Sequence, residues 1–245
     1  MKLTVLGLYA PYPPAGGATS GYLLSAGGTN ILLDCGSGVI SRLQNFASID
    51  DIDAVVLSHL HGDHMADIMV LRYTHGYRRH FGMGKKEGIT VFAPDKPELE
   101  YEYLNSVRFF DVRPVCNGMQ ADIGSVKLKF FKMEHPYPCY GVRAECAGKA
   151  FAYSGDTVMN ENIAPMIKDT DLFLCDSSFL EADRTEESSH MSATQAAKLC
   201  ARNAVKRLVL THRLTHYADN DAHLREAKSV FINAELAEEM RTYEF

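Results

Sequence analysis

Apolar residues along this chain come in short runs bounded by glycine, proline, asparagine or aspartate, a pattern of strands rather than of long helices. The runs that predict strands are Lys2 to Gly7, Gly21 to Ala26, Asn30 to Asp34, Ala54 to Leu57, Ile89 to Ala93, Val126 to Met133, Gly141 to Cys146, Ala150 to Tyr153, Leu172 to Cys175 and Arg207 to Leu210. Gly27-Gly28 and Gly148 lie between neighbouring runs, where hairpin turns need positive φ. Helical patterning follows Asp63, starts again at Ser192 and covers Asp221 to Phe231. Ser192 and Gln195 have capping-box spacing, and Ala196, Leu199 and Cys200 share one face of the helix behind them. Strands lead and helices are interspersed. This predicts an α/β protein in which sheet packs on sheet with helices outside.

Several of these runs end on the same residue types. Val55-Val56-Leu57-Ser58-His59 is echoed by Leu208-Val209-Leu210-Thr211-His212. Asp34, Asp156 and Asp176 each stand where an apolar run stops. Such repetition predicts buried strands that deliver His and Asp to one rim, as a metal site on a rigid scaffold requires. The densest segment is His59-Leu60-His61-Gly62-Asp63-His64. Its imidazoles and carboxylate suit a borderline divalent ion, zinc first, with manganese or iron as alternatives. His59 and His61, two apart at a strand exit, point to the same side. Gly62 permits a sharp turn, so Asp63 and His64 face a second point, and the two pairs can hold two ions. A carboxylate at Asp63 also offsets the helix dipole, which disfavours a dication at a helix N-terminus.

Composition narrows the function classes. The 245 residues, 46% hydrophobic and 23% charged, exclude disorder and a fibrous architecture and predict one domain over residues 1–245. A net charge of -6 argues against a broad electrostatic grip on nucleic acid or anionic membrane. No apolar stretch approaches the roughly 18 to 20 residues of a membrane-spanning helix. Met1 to Ala10 is read as a first strand rather than a signal peptide. Six scattered cysteines without a C-x-x-C pair predict reduced thiols in a cytoplasmic protein. One local basic segment, Arg72, Arg78, Arg79, Lys85 and Lys86, is interleaved with Tyr73, Tyr77 and Phe81. It predicts an anion-recruiting loop, an oligomer contact or ordinary surface. His75, His80, His216 and His223 lack ligand spacing and are expected at the surface.

The His-x-His-x-Asp-His segment after a strand resembles the signature of the metallo-β-lactamase superfamily. That resemblance implies a four-layer αββα sandwich of two mixed sheets with helices on the outer faces, and mostly dinuclear metallohydrolases. It covers most of the chain: Asp34 matches the early strand-end aspartate, His135 the third motif, Asp156 in Ser154-Gly155-Asp156-Thr157 the bridging aspartate, and His212 the last histidine. It implies His59, His61 and His135 around one metal, Asp63, His64 and His212 around the other, and Asp156 between them. The two ions would share a water, lower its pKa toward 7 and present it as hydroxide to phosphorus or to a carbonyl carbon. Asp34 would then orient a ligand imidazole or, alternatively, cap a helix from Gly36 to Gln44.

Within the superfamily, Ser154 to Thr157 and His190-Met191-Ser192-Ala193 resemble the tRNA-end-processing endonucleases and their phosphodiesterase relatives most. His190 matches an extra histidine near the leaving group, a candidate general acid steadied by Asp176; the alternative is a histidine at a helix start or surface. Bacterial tRNA-processing members insert a long arm between the third-motif histidine and the bridging aspartate, whereas His135 and Asp156 are 21 positions apart. The expected substrate is therefore a small anionic cyclic or linear phosphodiester, such as a nucleotide or short RNA. A lactonase, a thioesterase or a tRNA-processing endonuclease is the alternative, and a di-iron redox module a remote one. A homodimer is allowed; a membrane partner is not expected.

Overall fold

Runs of Val, Ile, Leu and Phe pair into two sheets, each parallel on one side and antiparallel on the other. The computed structural model describes residues 1–84, 87–217, 219 and 221–245. The first half of the chain forms β1 (Lys2–Gly7), β2 (Tyr9–Ala10), β3 (Gly21–Ala26), β4 (Thr29–Leu33), α1 (Val39–Leu43), β5 (Ala54–Val56), α2 (Gly62–Met65), α3 (Ile68–His80), β6 (Ile89–Ala93), α4 (Glu98–Asn105) and β7 (Phe110–Pro114). The second half adds β8 (Gln120–Ile123), β9 (Val126–Met133), β10 (Cys139–Cys146), β11 (Lys149–Tyr153), α5 (Ile163–Ile167), β12 (Leu172–Asp176), α6 (Ala193–Arg202), β13 (Leu208–Thr211), β14 (Arg213–Leu214), α7 (Ala222–Lys228), β15 (Ala234–Leu236) and β16 (Thr242–Glu244).

One sheet has the order β16-β1-β3-β4-β5-β6-β7 and the other β15-β13-β12-β11-β10-β9-β8. Pairing from β4 through β7 is parallel, as is pairing among β11, β12, β13 and β15. Parallel strands must have both faces covered, which explains their nearly continuous apolar runs. Ile31 and Leu33 turn inward with Phe92 to meet Phe130, Phe151, Leu174 and Val209 of the other sheet. Leu32, Val55 and Val91 turn outward against Ile40, Ile68, Leu71 and Leu104 of the helices. On the opposite outer face Phe173 and Leu208 meet Met166, Ala196, Leu199 and Cys200. Each such side chain contributes roughly 1.5–3 kcal/mol when fully buried. The result is the expected four-layer αββα sandwich.

The ten expected strands form, with ends shifted by no more than two residues. Gly27 and Gly28 take φ of 55° and 80° and Gly148 takes 76°, as their hairpins require. The capping box forms: Gln195 N donates to Ser192 Oγ at 3.1 Å and Ser192 N to Gln195 Oε1 at 3.2 Å. The helix expected from Gly36 shortens to α1, because Gly38 at its N-cap is left-handed with φ of 87°. Edge strands β7, β8 and β16 and helices α4 and α5 escaped the sequence pattern. In the strands and α4 exposed polar residues leave few buried positions to reveal a period, and α5, five apolar residues with a proline inside, is too short to show one. Two histidines expected at the surface are buried instead. His75 lies on the inner face of α3 against the Phe109 ring, and His223 packs on Tyr217. No described helix is long and apolar enough to cross a membrane.

Candidate metal centre

The parallel strands end at one rim, and their successors carry the polar residues. Asp34 follows β4 with φ of 56° and His212 follows β13 with φ of 61°. Both sit in the left-handed region, which costs a non-glycine residue on the order of 1 kcal/mol and clusters at functional sites. The buried Asp34 carboxylate accepts from Ser58 N at 2.7 Å, Ser58 Oγ at 2.9 Å and Tyr153 OH at 2.7 Å. It also takes His64 Nδ1 at 2.8 Å, which turns His64 Nε2 toward the rim as a lone-pair donor. Asp34 therefore orients the His64 imidazole and does not cap the following helix, whose N-cap is Gly38.

His59, His61, His135 and Asp156 bring ligand atoms within 4.8 Å of one another, and so do Asp63, His64 and His212. In the first group His59 Nε2 is 2.8 Å from His61 Nδ1, which is 3.3 Å from His135 Nε2. In the second, His64 Nε2 and His212 Nε2 are 3.2 Å apart, each 3.6 Å from Asp63 Oδ2. Asp156 Oδ2 lies between the groups, 3.5 Å from His59 Nε2, 3.4 Å from His64 Nε2 and 3.1 Å from His212 Nε2. Its other oxygen, Oδ1, is buried without a hydrogen-bond partner among the described residues. These are the separations expected of nitrogen and oxygen ligands roughly 2.0–2.1 Å from a tetrahedral cation. Three facing imidazole nitrogens cannot be satisfied by shared protons alone, and an orphaned carboxylate oxygen has no protein donor. A divalent ion satisfies both, so the donor set fits a metal.

Charge balance points the same way. Burial holds the His59 imidazole well below its ordinary value and lowers His61 and His135, which favours the neutral form that a metal ligand needs. Burial also pulls His64 and His212 down. There the Asp156 carboxylate, with Asp34 beside His64 and Asp63 beside His212, outweighs it, holding His64 well above its ordinary value and pushing His212 up to about 10. For Asp156 burial acts upward, but His212, His64 and His59 keep the carboxyl well below the usual range. Asp63 is likewise lowered against burial by His212 and His64. The buried carboxylates demand positive charge between them, and a bound cation takes the place of those protons.

A second carboxylate organises the neighbouring imidazoles. Asp176 accepts from Thr157 N at 3.2 Å and from Ser178 N and Oγ at 3.1 and 2.8 Å. Ser178 Oγ is 2.8 Å from His212 Nδ1, and Asp176 Oδ2 is 2.7 Å from His190 Nδ1. The His190 ring stacks on His212 with centroids 4.8 Å apart. Burial lowers His190, but Asp176 outweighs it and the net shift is upward. Gly155 has φ of 59°, and a Cβ there would stand 2.9 Å from Cys139 Sγ and Ser58 Cβ, so only glycine delivers Asp156 to this point. Tyr153 and Ser178 were missed from the sequence. The one available signal was the run of hydroxyl residues around Asp156 and after Asp176.

An open cleft of about 640 Å³ exposes this set, lined by His61, Asp63, His135, Asp156, His190 and His212. Ala10, Pro11, Pro136, Phe179 and Leu214 supply apolar walls, one of them built where β2 and β14 pair in parallel. No described lysine or arginine lines it. The basic segment turns elsewhere: Arg72 donates to Tyr103 OH, Arg78 to the buried Asp50 carboxylate and Arg79 to Glu87 O. Lys85 and Lys86 lie outside the described residues.

The model of the beta-lactamase superfamily domain matches residues 29–213, a span holding Asp34, the His59–His64 segment, His135, Asp156, His190 and His212. A probable metallo-hydrolase of Bacillus subtilis, YhfI, is 31% identical over 231 residues, 94% of each chain. The crystal structure of YhfI gives a TM-score of 0.93 at 28% identity, covering 99% of this chain and 98% of that one. Ribonuclease Z of Methanosarcina acetivorans is 24% identical over 303 aligned positions that cover 100% of this chain and 98% of the enzyme. A diphosphatase of the PhnP family shares the fold, with a TM-score of 0.79 at 16% identity over 100% of this chain and 96% of that one. The chain belongs to the metallo-β-lactamase superfamily, and it is a metal-dependent hydrolase.

Proposed function

We propose that the chain hydrolyses a small cyclic or linear phosphodiester using two divalent ions, zinc in this reading. His59, His61 and His135 would hold one, Asp63, His64 and His212 the other, with Asp156 shared. Bound there, the ions supply the Lewis acidity that activates water and stabilises charge developing on the scissile group. The protein's own groups do the rest. Asp34, clamped by Ser58 and Tyr153, fixes the His64 ring, and Ser178 fixes His212. Asp63, half-buried in the cleft lining, would accept a proton from the incoming water as well as ligate.

The observation that carries the phosphodiester reading is His190. Asp176 fixes its Nδ1 at 2.7 Å, which leaves Nε2 for the cleft, and the upward shift keeps the ring protonated closer to neutral pH. A departing alkoxide needs that proton; a thiolate or a nitrophenolate does not. The short path from His135 to Asp156 leaves no room for a tRNA-gripping arm, and the ribonuclease Z alignment runs longer than the 245 residues present here. This favours a small substrate over precursor tRNA. One feature supports a second reading, a lactonase or thioesterase: the cleft walls are apolar and carry no described cation.

The test compares His190→Ala with the unaltered protein on a dialkyl phosphodiester and on bis(p-nitrophenyl) phosphate. General-acid catalysis contributes about 10²–10⁴-fold. A loss of that size on the alkyl ester with a small one on the nitrophenyl ester is expected. Equal losses on both remove the acid role, and turnover confined to lactones or thioesters favours the second reading.

A further inference from the structure

Five imidazoles meet at the two groups of ligand atoms, and in four of them a protein group holds the second ring nitrogen. His64 Nδ1 is 2.8 Å from the Asp34 carboxylate, and His212 Nδ1 is 2.8 Å from Ser178 Oγ. His59 Nδ1 is 3.0 Å from Ser58 Oγ, and His135 Nδ1 is 3.4 Å from the Ser189 carbonyl. Such outer partners fix the ring and its tautomer in metal-ligating histidines. His61 is the exception. Its Nδ1 faces His59 Nε2 and His135 Nε2, and its own Nε2 has no hydrogen-bond partner among the described residues. It is also only half-buried, whereas His59 and His64 are fully enclosed.

An aromatic ring stands where the missing acceptor would be. The centroids of Tyr137 and His61 are 4.0 Å apart with 41° between the planes, and no other described ring pair is closer. The Tyr137 hydroxyl has no hydrogen-bond partner among the described residues, and the residue is not part of the cleft lining. What it offers His61 is therefore the ring face alone. The segment that carries it is pinned at both ends. Glu134 N donates to Thr157 Oγ1 at 3.3 Å and Val158 N to Glu134 O at 3.1 Å, beside Asp156. Tyr140 N donates to Ser58 O at 2.9 Å, beside His59. Between these ties Pro136 and Pro138 fix their own φ and push His135 and Tyr137 toward extended backbone. The Tyr137 ring thus reaches His61 from a stiff segment anchored to the neighbours of three other ligands.

We propose that Tyr137 is the positioning residue of His61, its ring face holding the imidazole with Nδ1 toward the metal, the task that a hydrogen bond performs for the other four. A metal-bound imidazole gives up electron density, so its ring attracts the electron-rich face of a tyrosine more strongly, in the manner of a cation over an aromatic ring. The contact is worth more with the ion bound than without it, which makes it a determinant of metal affinity as well as of packing. This rests on the ligand assignment proposed above and is independent of the phosphodiester reading.

Competition for zinc between the metal-stripped full chain and a chromogenic chelator tests it, read beside the thermal unfolding midpoint of the metal-free chain. Tyr137→Phe keeps the ring and should hold zinc within about twofold of the unaltered chain. Tyr137→Leu keeps an apolar side chain without the ring, and should bind one ion about 2- to 12-fold more weakly, the range that aromatic pairs set, with the metal-free midpoint unchanged. Tyr137→Ala, a second variant without a ring, should match it. The visible absorption of bound cobalt should follow the same order, alike in the unaltered chain and Tyr137→Phe and altered in Tyr137→Leu. Full affinity in Tyr137→Leu and Tyr137→Ala would overturn the proposal. So would equal weakening in Tyr137→Phe, which would assign the effect to the hydroxyl, or weakening found only where the metal-free midpoint also falls. An unaltered chain that takes up no ion would overturn the ligand assignment and this proposal with it, a result distinct from equal binding in every variant.

Discussion

The two rims of the sandwich are built from the same strands and treat their carboxylates differently. Asp171 precedes β12 and Asp176 ends it. At the Asp171 rim, the carboxylate accepts from Ala150 N at 2.9 Å and Lys206 Nζ at 2.8 Å, with Lys149 at 3.4 Å. On the same rim of the other sheet Asp53 accepts from Asn30 N at 2.8 Å. Protein groups complete these acids. At the opposite rim, Asp156 is ringed by imidazoles, keeps one oxygen without a partner among the described residues, and has the left-handed Asp34 and His212 as neighbours. Of these two rims, as the described residues show them, the Asp156 rim is the one where a cation fits. Stability and function are thus separated along the length of single strands.

The largest effect should come from the acid that protein donors do not complete. Asp156→Ala, or Asp63→Ala at the second group, should lower hydrolysis of bis(p-nitrophenyl) phosphate by well over 10²-fold, beyond what loss of an orienting partner costs. Far-ultraviolet circular dichroism should stay unchanged. Full activity in either variant contradicts the ligand assignment.

Next come the groups that only hold ligands in place. Asp34→Ala should weaken zinc binding about 10–100-fold, because His64 loses its acceptor. Tyr153→Phe removes one of the donors to Asp34 and should weaken it less, toward the lower end of that range. Competition with a chromogenic chelator reads both without reference to turnover. An effect of Tyr153→Phe larger than that of Asp34→Ala would show that the tyrosine does not act through the aspartate.

The smallest effect belongs to the other rim. Burial raises the Asp171 carboxyl, but Lys206 and the Ala150 amide outweigh it and hold it below its ordinary value of 3.8. A lowered folded value means a stabilising contribution that is complete above the unfolded value and fades as pH falls through the folded one. Asp171→Asn should cost about 1 kcal/mol at pH 7 and flatten the loss of urea stability below about pH 4, with hydrolysis unaltered. Parallel acid limbs in the two proteins would remove Asp171 from that account.

Legibility from sequence followed distance along the chain. The His59–His64 segment declares itself because its ligand types sit side by side, and Asp34, Asp156, Asp176 and His212 because apolar strands stop at or just before them. His135 followed only from the family resemblance, since nothing local marks it. Tyr153 stayed hidden: its hydroxyl reaches Asp34 across the sandwich, 119 positions away, from inside a run that reads as plain apolar strand. Ser178 and the β2–β14 wall depend in the same way on contacts between distant segments. The basic segment left three readings open because the partner of Arg78, Asp50, lies on a separate turn. His75 and His223 looked exposed because burial depends on which helix face meets the core.

The most direct test of the central claim is calorimetric titration of the metal-stripped chain with zinc at pH 7. Two ions per chain, falling to one or none in Asp63→Ala and to none in Asp156→Ala, is the predicted result. Absence of tight zinc binding to the unaltered chain, with manganese and iron failing equally, would contradict it.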